Sequence, residues 1–371
     1  MIIGIPKEIK NNEYRVSMTP NGTKELIRQG HQVLVENNVG AGIGVSNDDY
    51  LCTGARIYQT AVDIYRDSDM IVKVKEPQPS EYSLLRKNQI LFAYLHLAAN
   101  KPLTEALINS KAICIAYETI TDAQGKLPLL APMSEVAGRM SIQAGARSLE
   151  RANGGAGILL SGVAGVKSAE VTIIGGGTVG RNAARMALGA RAAVTLLDND
   201  ISVLRALDAE FKGRVNLIYA TQSHIEHYVL AADLVIGAVL VRGAAAPKII
   251  SRDVVKRMKK GAVIVDVAID QGGISETSHP TTHAKPCYVV DDVVHYCVSN
   301  MPGAVAKTAS EALTNATLPY ITQLAKFGAI DTLLQNAHFL NGLNVYKGRV
   351  TLKEVANSFD LPYFSARQLL A

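Results

Sequence analysis

Short apolar runs alternate with helical patterns through the first 130 residues. The runs over 2–5, 32–36, 70–74, 90–95 and 112–117 have the length and β-branched content of strands, whereas 19–29, 59–65 and 102–109 carry helical spacing. Such alternation predicts a βαβ series and a parallel sheet with helices on its faces. Right-handed crossovers then gather the carboxyl ends of the strands on one rim, where open α/β sheets take ligands. Pro132 opens a longer helical pattern, 133–152, which Asn153-Gly154-Gly155 stops and whose length suits a bridge between domains. A second βαβ series follows, with strands near 171–175, 193–197, 215–219, 233–237, 262–267 and 293–298. From Met301-Pro302-Gly303 the pattern is helical through about 326, returning the chain to its first domain, and the last 45 residues also read as helical.

At 371 residues the chain exceeds one ordinary core and suits two domains. Hydrophobic residues make up 48% and charged residues 19%, and aromatics only 5%, a balance that favours β-branched strands under Ala-rich helices. The net charge of +5 comes from scattered residues. The one basic cluster, Lys256, Arg257, Lys259 and Lys260, reads as a solvated helix face, which argues against nucleic acid as a partner. Cys52, Cys114, Cys287 and Cys297 lack CxxC spacing and read as buried free thiols of a reducing compartment. The opening Met-Ile-Ile-Gly-Ile-Pro-Lys-Glu reads as a strand rather than a signal peptide. No apolar run reaches the roughly 20 residues that cross a bilayer. The expectation is a cytoplasmic protein with no membrane partner.

Residues 171–180 read Val-Thr-Ile-Ile-Gly-Gly-Gly-Thr-Val-Gly, so Gly175, Gly177 and Gly180 carry GxGxxG spacing between an apolar strand and an Ala-rich helix. In that setting the first glycine permits the tight turn, the second lets the backbone approach a pyrophosphate, and the third lets helix and strand pack closely. The helix N-terminus then offers free N–H groups and the positive end of its dipole to phosphates. The next strand ends in Asp198, 23 residues after Gly175, where a carboxylate accepts from both adenine-ribose hydroxyls and repels a 2′-phosphate. The cofactor implied is NAD rather than NADP.

Three other segments place polar residues at strand ends. Met70–Pro77 carries Lys73 and Lys75, two residues apart and so on one side of a strand. Gln89–Ala98 places His96 after an apolar run, and Gly261–Gly273 places Asp270 just past a buried strand. Lysine and histidine at strand ends are commonly solvated or capping groups, and an aspartate beside Gly272 and Gly273 also reads as a turn residue.

Taken together these segments resemble the alanine dehydrogenase family. The resemblance rests on Ile-Pro-Lys-Glu-Ile-Lys…Glu-Tyr-Arg-Val (5–16), Lys-Val-Lys-Glu-Pro (73–77), Leu-His-Leu-Ala (95–98) and Leu-Leu-Ala-Pro-Met-Ser-Glu-Val-Ala-Gly-Arg (129–139). It continues through Asp-Leu-Val-Ile-Gly-Ala-Val-Leu (233–240), Val-Asp-Val-Ala-Ile-Asp-Gln-Gly-Gly (265–273) and His-Tyr-Cys-Val-Ser-Asn-Met-Pro-Gly-Ala-Val (295–305). It runs from residue 1 to about 325, and 129–139 and 265–273 are shared in part with the NAD-binding portion of proton-translocating transhydrogenase. The resemblance implies reversible, NAD-dependent oxidation of L-alanine to pyruvate and ammonium by a homo-oligomer, a hexamer in the family.

By the same resemblance Arg15 and Lys75 bind substrate, and His96 and Asp270 are the catalytic acid–base pair. Residue chemistry agrees: Arg15 can fork onto a carboxylate, Lys75 can hydrogen-bond the 2-oxo oxygen, and His96 suits proton transfer near neutrality. Asp270 can position the water that attacks an iminium carbon. The implied NAD site comprises Ser134, Gly175, Gly177, Thr178, Val179, Gly180, Asp198, Val239, Leu240, Val267, Ala268, Ile269, Asp270, Val298, Ser299, Asn300 and Met301.

The expected architecture is α/β, two Rossmann-like domains with parallel sheets, linked by long helices and with a cleft between them. Residues 1–130 plus 306–371 would form the discontinuous substrate domain and 131–305 the NAD domain. Departures from the family pattern are Val203 for a basic residue near the adenine ribose, Ala220 for a serine, His279 for an arginine, and Ala164 and Ala306 for prolines. Gln323 and Phe327 stand where some relatives have a metal-linked Glu and His, so no metal is expected. Two rivals stay open: a transhydrogenase-type NAD module without an organic substrate, and a saccharopine-type reductase for a larger amino acid.

Overall fold

Apolar runs near the N-terminus pair as six parallel strands: β1 (Ile2–Ile5), β2 (Gln32–Glu36), β3 (Arg56–Tyr58), β4 (Met70–Val72), β5 (Ile90–Ala93) and β6 (Ile113–Ala116). They lie in the order 3-2-1-4-5-6, so the order reverses at β1 and leaves a switch point between β1 and β4. The computed structural model describes residues 1–239 and 246–370. Its chain divides into two compact units, Met1–Met133 joined by the chain from Val305 onward, and Ser134–Ala304.

The second unit repeats that plan with β7 (Glu170–Ile174), β8 (Ala193–Asp198), β9 (Asn216–Tyr219), β10 (Leu234–Gly237), β11 (Val263–Asp266) and β13 (Val293–Tyr296). These six are parallel and adopt the same 3-2-1-4-5-6 sequence, while β12 (Cys287–Val290) pairs antiparallel on the outer edge of β13. Both sheets therefore have the Rossmann order, although the two halves share no sequence repeat. The central strands β10 and β11 are buried along their whole length, as a sheet covered on both faces requires.

Neither sheet is wholly parallel, which corrects the expectation. The last 45 residues are not all helix: β14 (Leu343–Tyr346) pairs antiparallel with β6, and β15 (Arg349–Val350) with β14. A two-residue turn joins them, with Lys347 at φ 50° and Gly348 at φ 76°. Lys-Gly is a weaker hairpin signal than Asn-Gly, and four residues are too few for a period to emerge. The edge strand β3 is three residues long and escapes for the same reason. Strand β12 turns into β13 through Asp291 and Asp292, both at positive φ.

Helix Ala131–Ser148 spans the boundary between the units and stops short of the expected 152; a 3₁₀ turn, Arg151–Asn153, and Gly154 at φ 88° follow. Helix Ala306–Phe327 returns to the first unit and buries Ala309, Leu313, Ile321 and Leu324, spaced to share one face, in its core. Truncating Leu313, which is fully buried, to alanine costs about 2–5 kcal/mol. The same helix steadies the loop after β1, because Ser310 Oγ accepts from Val16 N at 2.9 Å and Thr314 Oγ1 from Thr19 N at 3.0 Å.

The basic cluster at 256–260 is neutralised locally: Lys256 pairs with Asp253, Arg257 with Glu226, Lys259 with Asp233 and Lys260 with Asp292. Cys114 and Cys297 are buried, but Cys52 is exposed and Cys287 partly so, which corrects the uniform expectation. Among the described residues no helix is long and apolar enough to cross a membrane.

Candidate active site

In the first unit the singled-out residues lie just past the carboxyl ends of β1, β4 and β5, on the ligand rim of the sheet. Arg15 follows β1 and is buried. Its guanidinium forks onto Glu13, Nε to Oε1 and Nη2 to Oε2 both at 2.6 Å, and Nη1 reaches Met133 Sδ at 3.1 Å. Burial disfavours charge on both partners, yet the hydrogen bonds and mutual attraction outweigh it: Glu13 lies below the usual carboxylate value and Arg15 above its own. Arg15 is thus held as a permanent cation.

Lys73 and Lys75, two residues apart, have different surroundings. Regular strand ends at Val72, although Lys73 N still donates to Phe92 O and Tyr94 N to Val74 O. Lys73 is fully buried, with its ammonium 3.0 Å from Glu81 and 3.2 Å from Glu8. It is an internal counter-ion rather than a ligand-facing group. Lys75 is partly exposed; desolvation and then the charge of Arg15 push its ammonium below the ordinary lysine value, with Glu13 partly offsetting them. A lysine so tuned gives up or shares its proton more readily.

His96 lies beyond β5 and is half exposed, with a side-chain accessibility of 51%. Its ring is nearly parallel to that of Tyr94, with centroids 6.0 Å apart, and the Tyr94 hydroxyl donates to Leu129 O at 2.6 Å. Tyr94 in turn lies in the field of Arg15, so Arg15, Lys75 and His96 are brought to one neighbourhood of this unit. Three acids that sequence reasoning passed over support them through the main chain. Glu8 accepts from Lys75 N (3.3 Å) and Val74 N (2.6 Å), Glu13 from Arg15 N (3.1 Å), and Glu118 from His96 N (2.6 Å). The spacing Glu-x-Arg at 13–15 is the only one of the three signals a sequence could have offered.

In the second unit the glycine turn follows β7. Gly175 has φ 103°, and a methyl there would sit 2.7 Å from Ala238 O; one at Gly180 would sit 1.8 Å from Gly175 O. A methyl at Gly177 would meet nothing within 4 Å among the described residues. Gly177 is the N-cap of helix Thr178–Gly189 and offers no side chain to its first-turn N–H groups, which leaves them for a phosphate. Asp198 ends β8, where Oδ2 accepts from Gly176 N at 2.6 Å and Oδ1 from Asp200 N at 2.8 Å. Each oxygen keeps a further lone pair for a ribose hydroxyl. Open room at Gly177, helix N–H groups uncapped among the described residues, and a fixed carboxylate fit a dinucleotide.

The remaining positions converge on the same rim. Val239 follows β10, and Asp270 is exposed on the 3₁₀ turn Val267–Gln271 after β11, with Val267, Ala268 and Ile269 beside it. Val298, Ser299, Asn300 and Met301 follow β13, Asn300 at φ 62°. Ser134 lies one turn before Gly138, where helix Ala131–Ser148 presses so closely on Val179 O that a methyl at Gly138 would be 2.2 Å away. Thr178 and Val179 open the helix after the glycine turn. Leu240 lies outside the described residues. Val203 packs against Gly176, whose N–H the Asp198 carboxylate accepts, and Ala220 N donates to the main-chain oxygen of Asp198.

A buried acid that the sequence did not single out precedes the turn bearing Asp270 and ties down the chain that follows it. Asp266 Oδ2 accepts from Ile274 N (2.8 Å) and Ser278 Oγ (2.6 Å), and a methyl at Gly273 would lie 2.5 Å from that oxygen. Burial raises the Asp266 carboxyl above its usual value. The glycine pair that follows Asp270 thus serves packing on Asp266 as well as the turn.

These contacts set the two glycines apart in a thermal unfolding experiment. Gly180→Ala is expected to destabilise the protein by about 3 kcal/mol, because backbone must move to admit the methyl, while Gly177→Ala leaves the midpoint nearly unchanged. Equal midpoints for the two variants would contradict the packing described.

Two α/β units in Rossmann order, one with a glycine turn and a strand-end acid, define a Rossmann-like protein of the dinucleotide-binding class. The models for the N-terminal and C-terminal domains of alanine dehydrogenase/PNT match residues 4–137 and 141–353. The chain belongs to the alanine dehydrogenase/PNT family. It is 56% identical over 370 residues to an alanine dehydrogenase of Halomonas elongata and 49% identical over 371 residues to one of Mycobacterium tuberculosis, covering 100% of both chains in each pair. Among solved structures it is similar to an L-alanine dehydrogenase, with TM-score 0.94 and 49% identity over 97% of this chain and 99% of that one. A transhydrogenase from Sinorhizobium meliloti, 23% identical with TM-score 0.81 over 95% of this chain and 99% of that one, shares the fold.

Proposed function

We propose that the protein is a NAD-dependent alanine dehydrogenase that oxidises L-alanine to pyruvate and ammonium and catalyses the reverse. The observation that carries this reading is likeness to alanine dehydrogenases over the full length of both chains, through both units. The transhydrogenase in the comparison is much less similar, 23% identical against 49% for the L-alanine dehydrogenase structure.

Arg15, pre-set as a cation by Glu13, binds the substrate carboxylate in ground and transition states. Lys75, its ammonium made more acidic by burial and by Arg15, hydrogen-bonds the developing oxygen on C2 and stabilises charge there. His96 exchanges a proton with the reacting oxygen or nitrogen, and Asp270 orients and deprotonates the water that adds to the iminium carbon. NAD, when bound, supplies the hydride acceptor. Gly175, Gly177 and Gly180 with Thr178 and Val179 hold its pyrophosphate, and Asp198 holds the adenine ribose. Ser134, Val239, Leu240, Val267, Ala268, Ile269, Val298, Ser299, Asn300 and Met301 line the rest. With Val203 and Ala220 in place of polar side chains, ribose recognition rests on Asp198.

We read the assembly as a cytoplasmic homo-oligomer, a hexamer by likeness to the family. Sedimentation at assay concentration tests this, and a monomer would overturn it.

NADH formation across a panel of amino acids tests the activity. Alanine is expected to lead, with serine and glycine poor; preferential turnover of lysine with 2-oxoglutarate would transfer the assignment to the saccharopine type. NAD is expected to exceed NADP by a wide margin in kcat/KM, because Asp198 repels a 2′-phosphate, and Asp198→Gly narrows the gap. Equal use of both cofactors by the unaltered enzyme would remove Asp198 from cofactor choice.

A further inference from the structure

His96 occupies the left-handed region, at φ 48° and ψ 42°, which a residue with a Cβ enters only when its surroundings hold it there. Strand β5 ends at Ala93, and a 3₁₀ turn, Leu97–Ala99, begins directly after the histidine. The acceptor for the N–H groups of Leu95 and His96 is one side chain: Glu118 Oε1 takes His96 N at 2.6 Å and Leu95 N at 3.1 Å, with Oε2 3.3 Å from Leu95 N. Register explains the meeting. Ala93 is paired with Ala116 across β5 and β6, so two residues on, Glu118 comes level with Leu95. Its carboxylate accepts from the main chain where the two strands have stopped pairing.

We propose that Glu118 is a positioning residue for His96, a role that rests on the reading of His96 as the proton-transfer group. The carboxylate acts through the main chain: its Oε1 lies 3.9 Å from His96 Nδ1, beyond hydrogen-bond reach, but 2.6 Å from His96 N. A charge-assisted bond to that N–H holds the strained backbone and so fixes where the imidazole hangs. Tyr94 steadies the ring from one side; Glu118 fixes the point from which it swings.

Steady-state kinetics with alanine and NAD on five variants, three at Glu118, His96→Ala and the double variant, test this. Glu118→Ala is expected to lower kcat at least tenfold, with the KM for NAD changed less than twofold. Glu118→Gln retains an acceptor oxygen at the same reach and should recover kcat to within about threefold of the unaltered enzyme. In a His96→Ala background, Glu118→Ala should cause no further loss, since a residue acting through His96 has nothing left to position. Glu118→Asp, one methylene shorter, should resemble Glu118→Ala and serves in its place if that variant does not fold. Near-normal kcat in Glu118→Ala or Glu118→Asp while His96→Ala is inactive would overturn the positioning role alone. Additive losses in the double variant would show a general structural role and also overturn it. Near-normal kcat in His96→Ala would instead remove the underlying reading of His96.

Discussion

His96→Ala is expected to lower kcat for alanine oxidation by roughly two to four orders of magnitude, the usual scale for loss of a general acid–base group. NADH affinity, followed by fluorescence titration, should change little, because the glycine turn and Asp198 belong to the second unit. Asp270→Asn should lower kcat in the same way, since its work begins only when water attacks. Arg15 offers the contrast: it binds the carboxylate before and during reaction, so its loss appears mainly in KM. Arg15→Ala also strips buried Glu13 of its cation and should cost stability. Arg15→Lys keeps the charge without the fork, and a raised KM in a well-folded Arg15→Lys isolates the binding role. A His96→Ala enzyme with near-normal kcat would return His96 to the status of a solvated residue at a strand end.

The second large effect concerns stability. Lys73→Met removes an ammonium that lies against both Glu8 and Glu81 and should destabilise the protein by about 3–5 kcal/mol near neutral pH, as loss of one member of a buried ion pair does. The pH dependence has a definite sign. Burial already raises the Glu8 carboxyl above 4.5, with Lys73 the leading opposing influence. A carboxyl raised in the folded state contributes stability fully below its unfolded value and loses it as pH climbs through the folded value. Without Lys73 that folded value moves higher still, so the penalty grows as pH rises towards neutrality and shrinks on acidification. Denaturant midpoints of both proteins at pH 5 and pH 7.5 check this. A deficit that is the same at both, or larger at pH 5, would contradict the role of Lys73 as internal counter-ion.

Lys73 and Lys75 show where pattern reading stops. Two lysines two residues apart look equivalent in a strand, and the difference between them is made by residues outside that strand. Glu8 and Glu81 draw Lys73 inside, whereas Arg15 and Glu13 govern Lys75. Likewise, His96 and Asp270 were identifiable as candidates, but Glu118, which accepts from His96 N, and Asp266, which accepts from Ile274 N just after the turn of Asp270, resemble any acid near a strand end. Their role depends on register and on which N–H groups the ends of strands leave unpaired.

The sequence by itself determined the α/β class, the central strands of both sheets to within a residue or two, and the glycine turn with Asp198. These are local properties, because period, β-branching and glycine spacing act over a few residues and are dictated by short-range sterics. Only the tertiary structure decided the antiparallel additions β12, β14 and β15, the shared 3-2-1-4-5-6 order, and the acids behind Lys75, Arg15 and His96. Short edge strands gain their stability from a partner strand rather than from their own four residues. A buried carboxylate, in turn, is tolerable only where folding brings it the donors that offset its desolvation.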